Sequence, residues 1–205
     1  MRILIAIPCM DSISTRFAQS LVNLKRVGEC IVRFFPSSLI YDARNTLCKE
    51  AIRFGCDKVL WLDSDMVFAP DTLERLLKHD KQVVSALYFT RSGNTKPVMY
   101  SALGIDESGK VVREVYEDYK KGLIPVAGFG FGCCLIDTAV LMKMKSCVGD
   151  WFTPMNHFGE DLAFCLRCAE IDEPLYVDTN LIVGHEGKFV ITENQYIRKE
   201  EAHES

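Results

Sequence analysis

Four short apolar segments, separated by helical patterns, constrain the fold of this chain more than any other feature. Between the second and the third segment, Ala43, Leu47 and Ala51 recur at helical spacing, and a further helix is predicted to begin near Asp71. Strands that alternate with helices are typical of a parallel sheet covered by helices, and so of an α/β protein. The four predicted strands span residues 3–7, 30–35, 58–62 and 83–87.

The pattern changes after Pro97. Alternating residues at 97–103 and 111–116, separated by the turn sequence Asp106 to Gly109, predict a β-hairpin. Further segments predict a strand over 133–136, a helix over 161–170 and a strand over 175–178. We therefore expect one domain over residues 1–198, with a mixed, mainly parallel sheet, flanking helices and a small hairpin appendage. A polar tail is expected over 199–205.

Bulk composition excludes several classes of function. With 205 residues and 48% hydrophobic content, the chain can bury a substantial core. A formal net charge of −4 argues against a nucleic-acid partner, which requires a basic surface. The first apolar run stops at Pro8, so it predicts a buried strand rather than a signal peptide, and no run is long enough for a membrane span. These features predict a soluble cytoplasmic protein and say nothing about its oligomeric state.

The nine cysteines are odd in number and scattered among apolar neighbours, which predicts free thiols in a reducing compartment. Cys165 and Cys168 form a C-x-x-C pair on a predicted helix. Neither a second cysteine pair nor a histidine pair follows to complete a zinc site, so we expect this pair to serve in packing.

The segment from Lys58 to Asp65 is the most informative for function. Four apolar residues predict a strand buried on both faces, and Asp63 and Asp65 follow where it ends. Ligands of open α/β sheets bind at the carboxyl ends of the strands. Two carboxylates beside a phosphate site suit Mg²⁺ or Mn²⁺, although Asp and Ser are also ordinary turn residues.

Two later segments add acidic and imidazole groups. Gly159, Glu160 and Asp161 open a predicted helix, and Gly184 and His185 follow the last predicted strand. Acidic residues at a helix start can simply offset the helix dipole, and a single histidine is often structural. The combination of all three segments favours a functional site.

Together these segments resemble the GT-A glycosyltransferases, especially short bacterial and phage members near glycosyltransferase family 2. The matching segments are 5–8, 43–45, 62–66, 159–165 and 184–185, and their order and spacing carry the resemblance. It implies a GT-A (Rossmann-like) fold and a metal-dependent transfer of a sugar, with inversion, from a nucleotide diphosphate sugar to an acceptor hydroxyl. The implied donor is a UDP-sugar, the acceptor is a glycan or another hydroxyl compound, and the cofactor is Mn²⁺ or Mg²⁺.

The resemblance also implies roles for residues of the donor site. The loop from Pro8 to Asp11 would hold the nucleoside base, with Asp11 either contacting a uracil N–H or capping the next helix. Arg44 would reach the diphosphate or the sugar, unless it is a solvated helix residue. Gly130, within the glycine-rich segment 128–132, would let the backbone approach the donor sugar, unless these glycines merely bend a strand.

For the metal and the chemistry, the resemblance implies five further assignments. Asp65 would be the main metal ligand, and Asp63 would contact the ribose or reach the metal through water. His185 would supply a metal ligand, and imidazole favours Mn²⁺ over Mg²⁺. Asp161 would be the base that deprotonates the acceptor, while Glu160 would orient donor or acceptor.

Two alternatives are kept from other classes. The stretch from Asp63 to Val67 also fits the D-x-D-x-V motif of haloacid dehalogenase-type phosphatases, in which Asp63 would be phosphorylated. That motif normally sits on the first strand, whereas two strands precede it here. The other alternative is a catalytically silent domain that binds sugar nucleotides.

Overall fold

The computed structural model describes residues 1–91, 95–155 and 157–187. The long strands are β1 (Arg2–Cys9), β2 (Glu29–Pro36), β3 (Lys58–Leu62), β5 (Val83–Leu87), β6 (Met99–Ile105), β7 (Val111–Val115), β8 (Leu123–Val126), β10 (Cys133–Asp137) and β11 (Leu175–Ile182). Three two-residue strands are β4 (Met66–Val67), β9 (Gly128–Phe129) and β12 (Gly184–His185). The helices are α1 (Thr15–Asn23), α2 (Ile40–Arg53), α3 (Thr72–Lys78), α4 (Thr138–Cys147) and α5 (Glu160–Glu170).

The main sheet has seven strands in the order β2-β1-β3-β10-β5-β11-β8. Strand β1 pairs in parallel with β2 on one side and with β3 on the other, and β5 pairs in parallel with β11. Strand β10 runs antiparallel between β3 and β5, and β8 runs antiparallel at the edge beside β11. The expected mixed, mainly parallel sheet is confirmed, and the antiparallel β10 at its centre is a feature that local patterns did not indicate.

Burial explains why the central strands read as continuous apolar runs. Residues 3–7 of β1 and 59–62 of β3 are all fully buried, because helices cover both faces of the sheet. One apolar cluster includes residues of α2, α4 and α5, and the other includes residues of α1 and α3. The four strands predicted in the first 90 residues are confirmed, with β1 and β2 extending slightly beyond the predicted ends.

The predicted hairpin is confirmed as β6 and β7, which pair antiparallel. Its turn is held by the Asp106 carboxylate, which accepts hydrogen bonds from the backbone N–H groups of Ser108 and Lys110. Gly109 has a φ of +82°, a left-handed conformation that favours glycine. Strand β9 joins the other side of β6, and this three-stranded sheet β7-β6-β9 is the appendage.

Other expectations are met in part. Helix α3 starts after Asp71 as predicted, but the Asp71 side chain makes no capping hydrogen bond. Helix α1 is capped by Ser14, whose hydroxyl accepts from the Phe17 N–H, so the capping role considered for Asp11 is wrong. All nine cysteines are free, with Cys165 and Cys168 buried in the core. Within the described ranges, no helix has the length and apolarity to cross a membrane. The predicted tail over 199–205 lies outside the described residues.

Candidate functional site

Asp63 and Asp65 lie at the carboxyl end of β3, as the sequence indicated, and they point apart. The Asp63 N–H donates to the Gly132 carbonyl over 3.0 Å, and the Met66 N–H donates back to the Asp63 carbonyl over 3.1 Å. The chain therefore turns immediately after the strand. Asp63 faces helices α2 and α5, whereas Asp65 faces β12, so each carboxylate has a different set of partners.

Arg44 contacts two acidic side chains of the site, Asp63 and Glu160. Its guanidinium donates to Asp63 Oδ1 over 2.8 Å, and its Nε lies 3.7 Å from Glu160 Oε1. The side chain is only 2% exposed. It lies 5.1 to 5.7 Å from the ring centroids of three aromatic side chains, contributed by Trp61, Phe131 and Phe152.

The burial of Arg44 changes the role that the sequence suggested for it. Helix α2 begins at Ile40, so Arg44 sits in its second turn and faces the sheet. The partners seen are carboxylates, and among the described residues its Nε and Nη1 have no hydrogen-bond partner. Direct contact with a donor stays a prediction, whereas a structural link between β3 and α5 is what the geometry shows.

Opposing effects act on the pKa of the Asp63 carboxylate. Burial raises the pKa of Asp63 above its ordinary value, while the Arg44 charge acts in the opposite direction and Asp65 adds to the rise. A carboxylate on which burial and a charged partner act in opposite directions is a common feature of functional sites.

Asp65 contacts the Arg91 guanidinium and the His185 imidazole at one oxygen. Its Oδ2 lies 2.8 Å from Arg91 Nη1 and 3.6 Å from His185 Nε2. Burial opposes ionisation of Asp65, but the pairing with His185 and the Arg91 charge outweigh it and lower its pKa. The same pairing raises the pKa of His185, against the effect of burial.

His185 reaches this position through backbone pairing. Gly184 and His185 form β12, which pairs antiparallel with Met66 and Val67 of β4. The Glu186 N–H also donates to the Asp65 carbonyl over 2.8 Å. His185 Nδ1 lies 2.9 Å from the Phe89 carbonyl oxygen, a contact that requires a proton on Nδ1. In the neutral ring, Nε2 then carries a lone pair directed toward Asp65, as in histidine metal ligands.

These donors can be tested against the predicted metal. Asp65 Oδ2 and His185 Nε2 are one oxygen and one imidazole nitrogen, a combination that suits Mn²⁺. Asp63 Oδ1 is already engaged by Arg44, and no group of three potential His, Cys, Asp or Glu ligands converges within 1–91, 95–155 and 157–187. Asp65 and His185 are therefore the two side chains available to a cation, and binding of a metal here stays a prediction.

Glu160 and Asp161 form the first turn of α5, as predicted, with Gly159 at the N-cap position. Burial, reinforced by the neighbouring Glu160 charge, raises the pKa of Asp161 to about 6. Asp161 Oδ1 accepts from the Leu162 N–H over 2.7 Å, which fixes the side chain. A carboxylate with a pKa near neutrality is suited to general-base chemistry.

The glycine-rich segment packs against protein. A Cβ added at Gly130 would come within 2.0 Å of the Tyr88 hydroxyl oxygen, and one at Gly132 would come within 2.8 Å of the Met66 side chain. The buried Tyr88 ring in turn packs edge-on against His185, with centroids 5.3 Å apart. These glycines give room to the side chains that support His185, and a contact of Gly130 with a donor sugar stays a prediction.

Pro8 lines a cleft of about 260 Å³ that also includes Ser37, Ser38, Asp63 and Asp65. Asp11 is exposed in the loop before α1 and is not among the residues that line this cleft. Its contact with a nucleobase therefore stays a prediction. The contact of Pro8 with a nucleoside also stays a prediction.

Sequence reasoning missed Arg91, which follows β5 and lines a larger cleft of about 1160 Å³ with Arg16, Phe89, His185 and Glu186. Arg91 Nη1 also donates to the Glu186 carbonyl over 3.1 Å. A single arginine after a strand carries no local signal. Its proximity to Asp65 depends on how β3, β5 and β11 are arranged in the sheet.

Comparison with known proteins supports the fold. No protein-family model and no curated protein matches the chain. Among solved structures, A197 from STIV is similar with a TM-score of 0.66 and 19% identity, over 92% of this chain and 87% of that chain. GalNAc-T7, solved with UDP, GalNAc and Mn²⁺, is similar with a TM-score of 0.63 and 12% identity, over 92% of this chain.

The alignment spans 44% of the GalNAc-T7 chain, so this chain corresponds to less than half of that protein. At these identities the likeness establishes the fold. The chain has a GT-A-like, glycosyltransferase-like fold: a large, mostly parallel sheet flanked by helices, with small antiparallel sheets beside it.

Proposed function

We propose that this protein is a metal-dependent glycosyltransferase that moves a sugar from a UDP-sugar to an acceptor hydroxyl with inversion at the anomeric carbon. One observation carries the proposal. The end of β3 gathers Asp63, Asp65 and His185, and Arg44 links Asp63 to the first turn of α5, where Asp161 lies. Ionisable groups from four distant segments meet at the end of the sheet where ligands of α/β proteins bind.

The small cleft supports a place for the nucleoside. It runs from the end of β1 at Pro8, past Ser37 and Ser38, to Asp63 and Asp65. The serine hydroxyls can donate hydrogen bonds to a ribose or accept them from it, and the carboxylates can accept them. In this arrangement the diphosphate would extend from Asp63 toward Asp65 and His185.

Asp65 and His185 would hold the divalent cation. When bound, the cation supplies positive charge that neutralises the leaving diphosphate. The hydrogen bond from His185 Nδ1 to the Phe89 carbonyl keeps the ring oriented, and the β4–β12 pairing keeps it beside Asp65. GalNAc-T7 was solved with UDP and Mn²⁺, which supports the same choice of ligands here.

Asp161 would act as the general base. The acceptor oxygen attacks the anomeric carbon, its proton passes to the Asp161 carboxylate, and the bond to the diphosphate oxygen breaks with the electron pair leaving on UDP. A pKa of about 6 keeps Asp161 ionised at neutral pH and still basic enough to take this proton. Glu160, held toward Arg44, would orient the donor or the acceptor.

The phosphatase alternative fares poorly. Asp63 would have to be the nucleophile, but its Oδ1 accepts a charge-assisted hydrogen bond from the buried Arg44. In those phosphatases the motif normally sits on the first strand of the sheet. Here Asp63 follows β3, the third strand of the chain. A catalytically silent domain and an active transferase would both bind a sugar nucleotide. Turnover of a UDP-sugar is the measurement that distinguishes them.

The test is UDP binding by calorimetry, with Mn²⁺ and with EDTA, on the wild type and on Asp65→Ala. We expect binding by the wild type that requires Mn²⁺, and loss of that binding in Asp65→Ala with an unchanged melting temperature. Asp71→Ala is the matched control, because Asp71 starts α3 and its side chain makes no capping bond.

Equal UDP affinity in Mn²⁺ and in EDTA would contradict the role of the cation. A large loss of stability in Asp65→Ala with UDP binding preserved would show a structural aspartate. Binding of UDP-sugars without any turnover, to water or to any acceptor in a glycan panel, would favour the silent domain.

A further inference from the structure

Arg91 occupies the place between the oxygen atoms that a cation would contact. Its Nη1 donates to Asp65 Oδ2 over 2.8 Å and to the Glu186 carbonyl over 3.1 Å. His185 Nε2 lies 3.6 Å from the same Asp65 oxygen. A positively charged nitrogen thus contacts a carboxylate oxygen and a carbonyl oxygen, and an imidazole nitrogen lies near the same carboxylate oxygen. All three groups can ligate divalent cations.

A cation held between Asp65 Oδ2 and His185 Nε2 would lie close to the Arg91 guanidinium, which already contacts that oxygen. They carry the same sign of charge, and their repulsion at such separations is large where water is partly excluded. A cation that binds Asp65 Oδ2 therefore competes with Arg91 for that oxygen.

The cleft beside the site offers space for a different position of the Arg91 side chain. Its side chain is 49% exposed, and it lines the large cleft beside the site. The aliphatic part of the Arg91 side chain packs beside Gly187, where an added Cβ would lie 3.7 to 3.8 Å from it. A guanidinium released there, next to a bound diphosphate, has the fork of N–H donors that matches phosphate oxygens.

We propose that Arg91 is a counter-ion that exchanges partners: it neutralises Asp65 in the metal-free protein, and it moves to the diphosphate when cation and nucleotide bind together. This inference rests on the proposed function. It makes binding of the cation alone weak and binding of the cation with a nucleotide diphosphate strong, so that the two ligands enter as a pair.

The first measurement is Mn²⁺ binding without nucleotide, followed by the electron paramagnetic resonance signal of free Mn²⁺. Arg91→Ala removes the competitor for Asp65, and we expect its Mn²⁺ affinity to rise by about two- to fivefold, the value of a half-exposed ion pair. Arg91→Lys keeps the charge and should lie close to the wild type.

The second measurement is UDP binding at saturating Mn²⁺ by calorimetry. Arg91→Ala loses the phosphate contact, so we expect UDP affinity to fall about tenfold or more. The two effects have opposite signs, which a general loss of structure does not produce. Loss of a positive charge near the site produces the same signs, and a control variant is needed to separate that effect from partner exchange.

Arg16→Ala is the matched control. Arg16 lines the same cleft but pairs with Glu186, at 3.7 Å, and its side chain is 76% exposed. Removing it deletes one positive charge near the site without freeing Asp65. The rise in Mn²⁺ affinity should therefore be clearly larger in Arg91→Ala than in Arg16→Ala.

The outcomes separate the two proposals. If the wild type binds UDP with Mn²⁺ and Arg91→Ala changes neither affinity, or changes both no more than Arg16→Ala does, partner exchange is wrong and the transferase proposal stands. If wild-type UDP binding survives EDTA and is lost in Arg91→Ala, Arg91 replaces the cation permanently and exchange is again wrong. If the wild type binds neither UDP nor Mn²⁺ under any condition, the transferase proposal fails and this inference fails with it.

Discussion

The arginine–carboxylate clusters around Arg44 and around Asp178 differ in how well their charges are satisfied. In the first, Arg44 contacts Asp63 and Glu160 and is 2% exposed. In the second, Asp178 of β11 accepts from the Asn180 N–H and meets His79 Nε2 at 2.9 Å, while Arg75 lies 3.8 Å away. Both clusters connect a helix to a strand of the main sheet.

The difference is access to water. The Arg75 and His79 side chains are 32% and 24% exposed, so each can be hydrated if Asp178 is lost. Arg44 cannot, and two of its nitrogens already lack partners among the described residues. The Asp178 cluster therefore behaves as a well-satisfied structural link. In the Arg44 cluster, a buried guanidinium contacts the carboxylates of the site while part of its hydrogen-bonding capacity stays unused.

The largest expected effect is on turnover at the site. Asp161→Asn keeps the size of the side chain and removes its basicity, so UDP-sugar turnover should fall by about 100- to 10,000-fold. UDP affinity at saturating Mn²⁺ should stay near the wild-type value, as measured by calorimetry. Near-normal turnover would move the role of base to Glu160, and loss of UDP binding would make Asp161 a donor-site residue.

The next effect is on stability. Arg44→Met leaves Asp63 and Glu160 without their positive partner, and we expect the free energy of unfolding to fall by about 3 kcal/mol, as for a broken buried ion pair. Urea denaturation measures it. Arg44→Met with Asp63→Asn should recover part of the loss, because the unpaired charge is removed. A loss below about 1 kcal/mol in Arg44→Met would show that Arg44 is readily replaced by an apolar side chain.

A smaller loss is expected at the second cluster. Asp178→Asn should lower the free energy of unfolding by about 1 to 2 kcal/mol, because Arg75 and His79 can turn toward water. Turnover and UDP affinity should be unchanged in the same variant. If the loss in Asp178→Asn equals or exceeds that in Arg44→Met, solvent access is not what distinguishes the clusters.

The last effect is graded with pH. Turnover should rise as Asp161 loses its proton, with a change of about tenfold per pH unit below its pKa of about 6. Because burial raises this pKa from 3.8, the folded protein holds more protons than the unfolded chain between pH 3.8 and about 6. The free energy of unfolding contributed by Asp161 therefore falls as pH rises through that window. Asp161→Asn should lack this fall, and identical pH profiles of stability for the two proteins would contradict the assignment.

Much of the fold could be predicted from local pattern. Strand β3 follows from its apolar run, the β6–β7 hairpin follows from alternation around the turn at Asp106, and α5 follows from its helical spacing after Gly159. These features depend on neighbours within a few residues, which a sequence displays directly. The same reasoning placed Asp63, Asp65 and Asp161 at the ends of elements.

The sequence by itself determined the type and order of most elements and the presence of carboxylates where β3 ends and α5 begins. Only the tertiary structure decided that β10 enters antiparallel between β3 and β5, and that Gly184 and His185 pair with Met66 and Val67. It also decided that Arg44 is buried and that Arg91 reaches Asp65. The physical reason is that these contacts join residues far apart in the chain. Their free energy depends on solvent exclusion and on partners supplied by other elements, and no short segment encodes either.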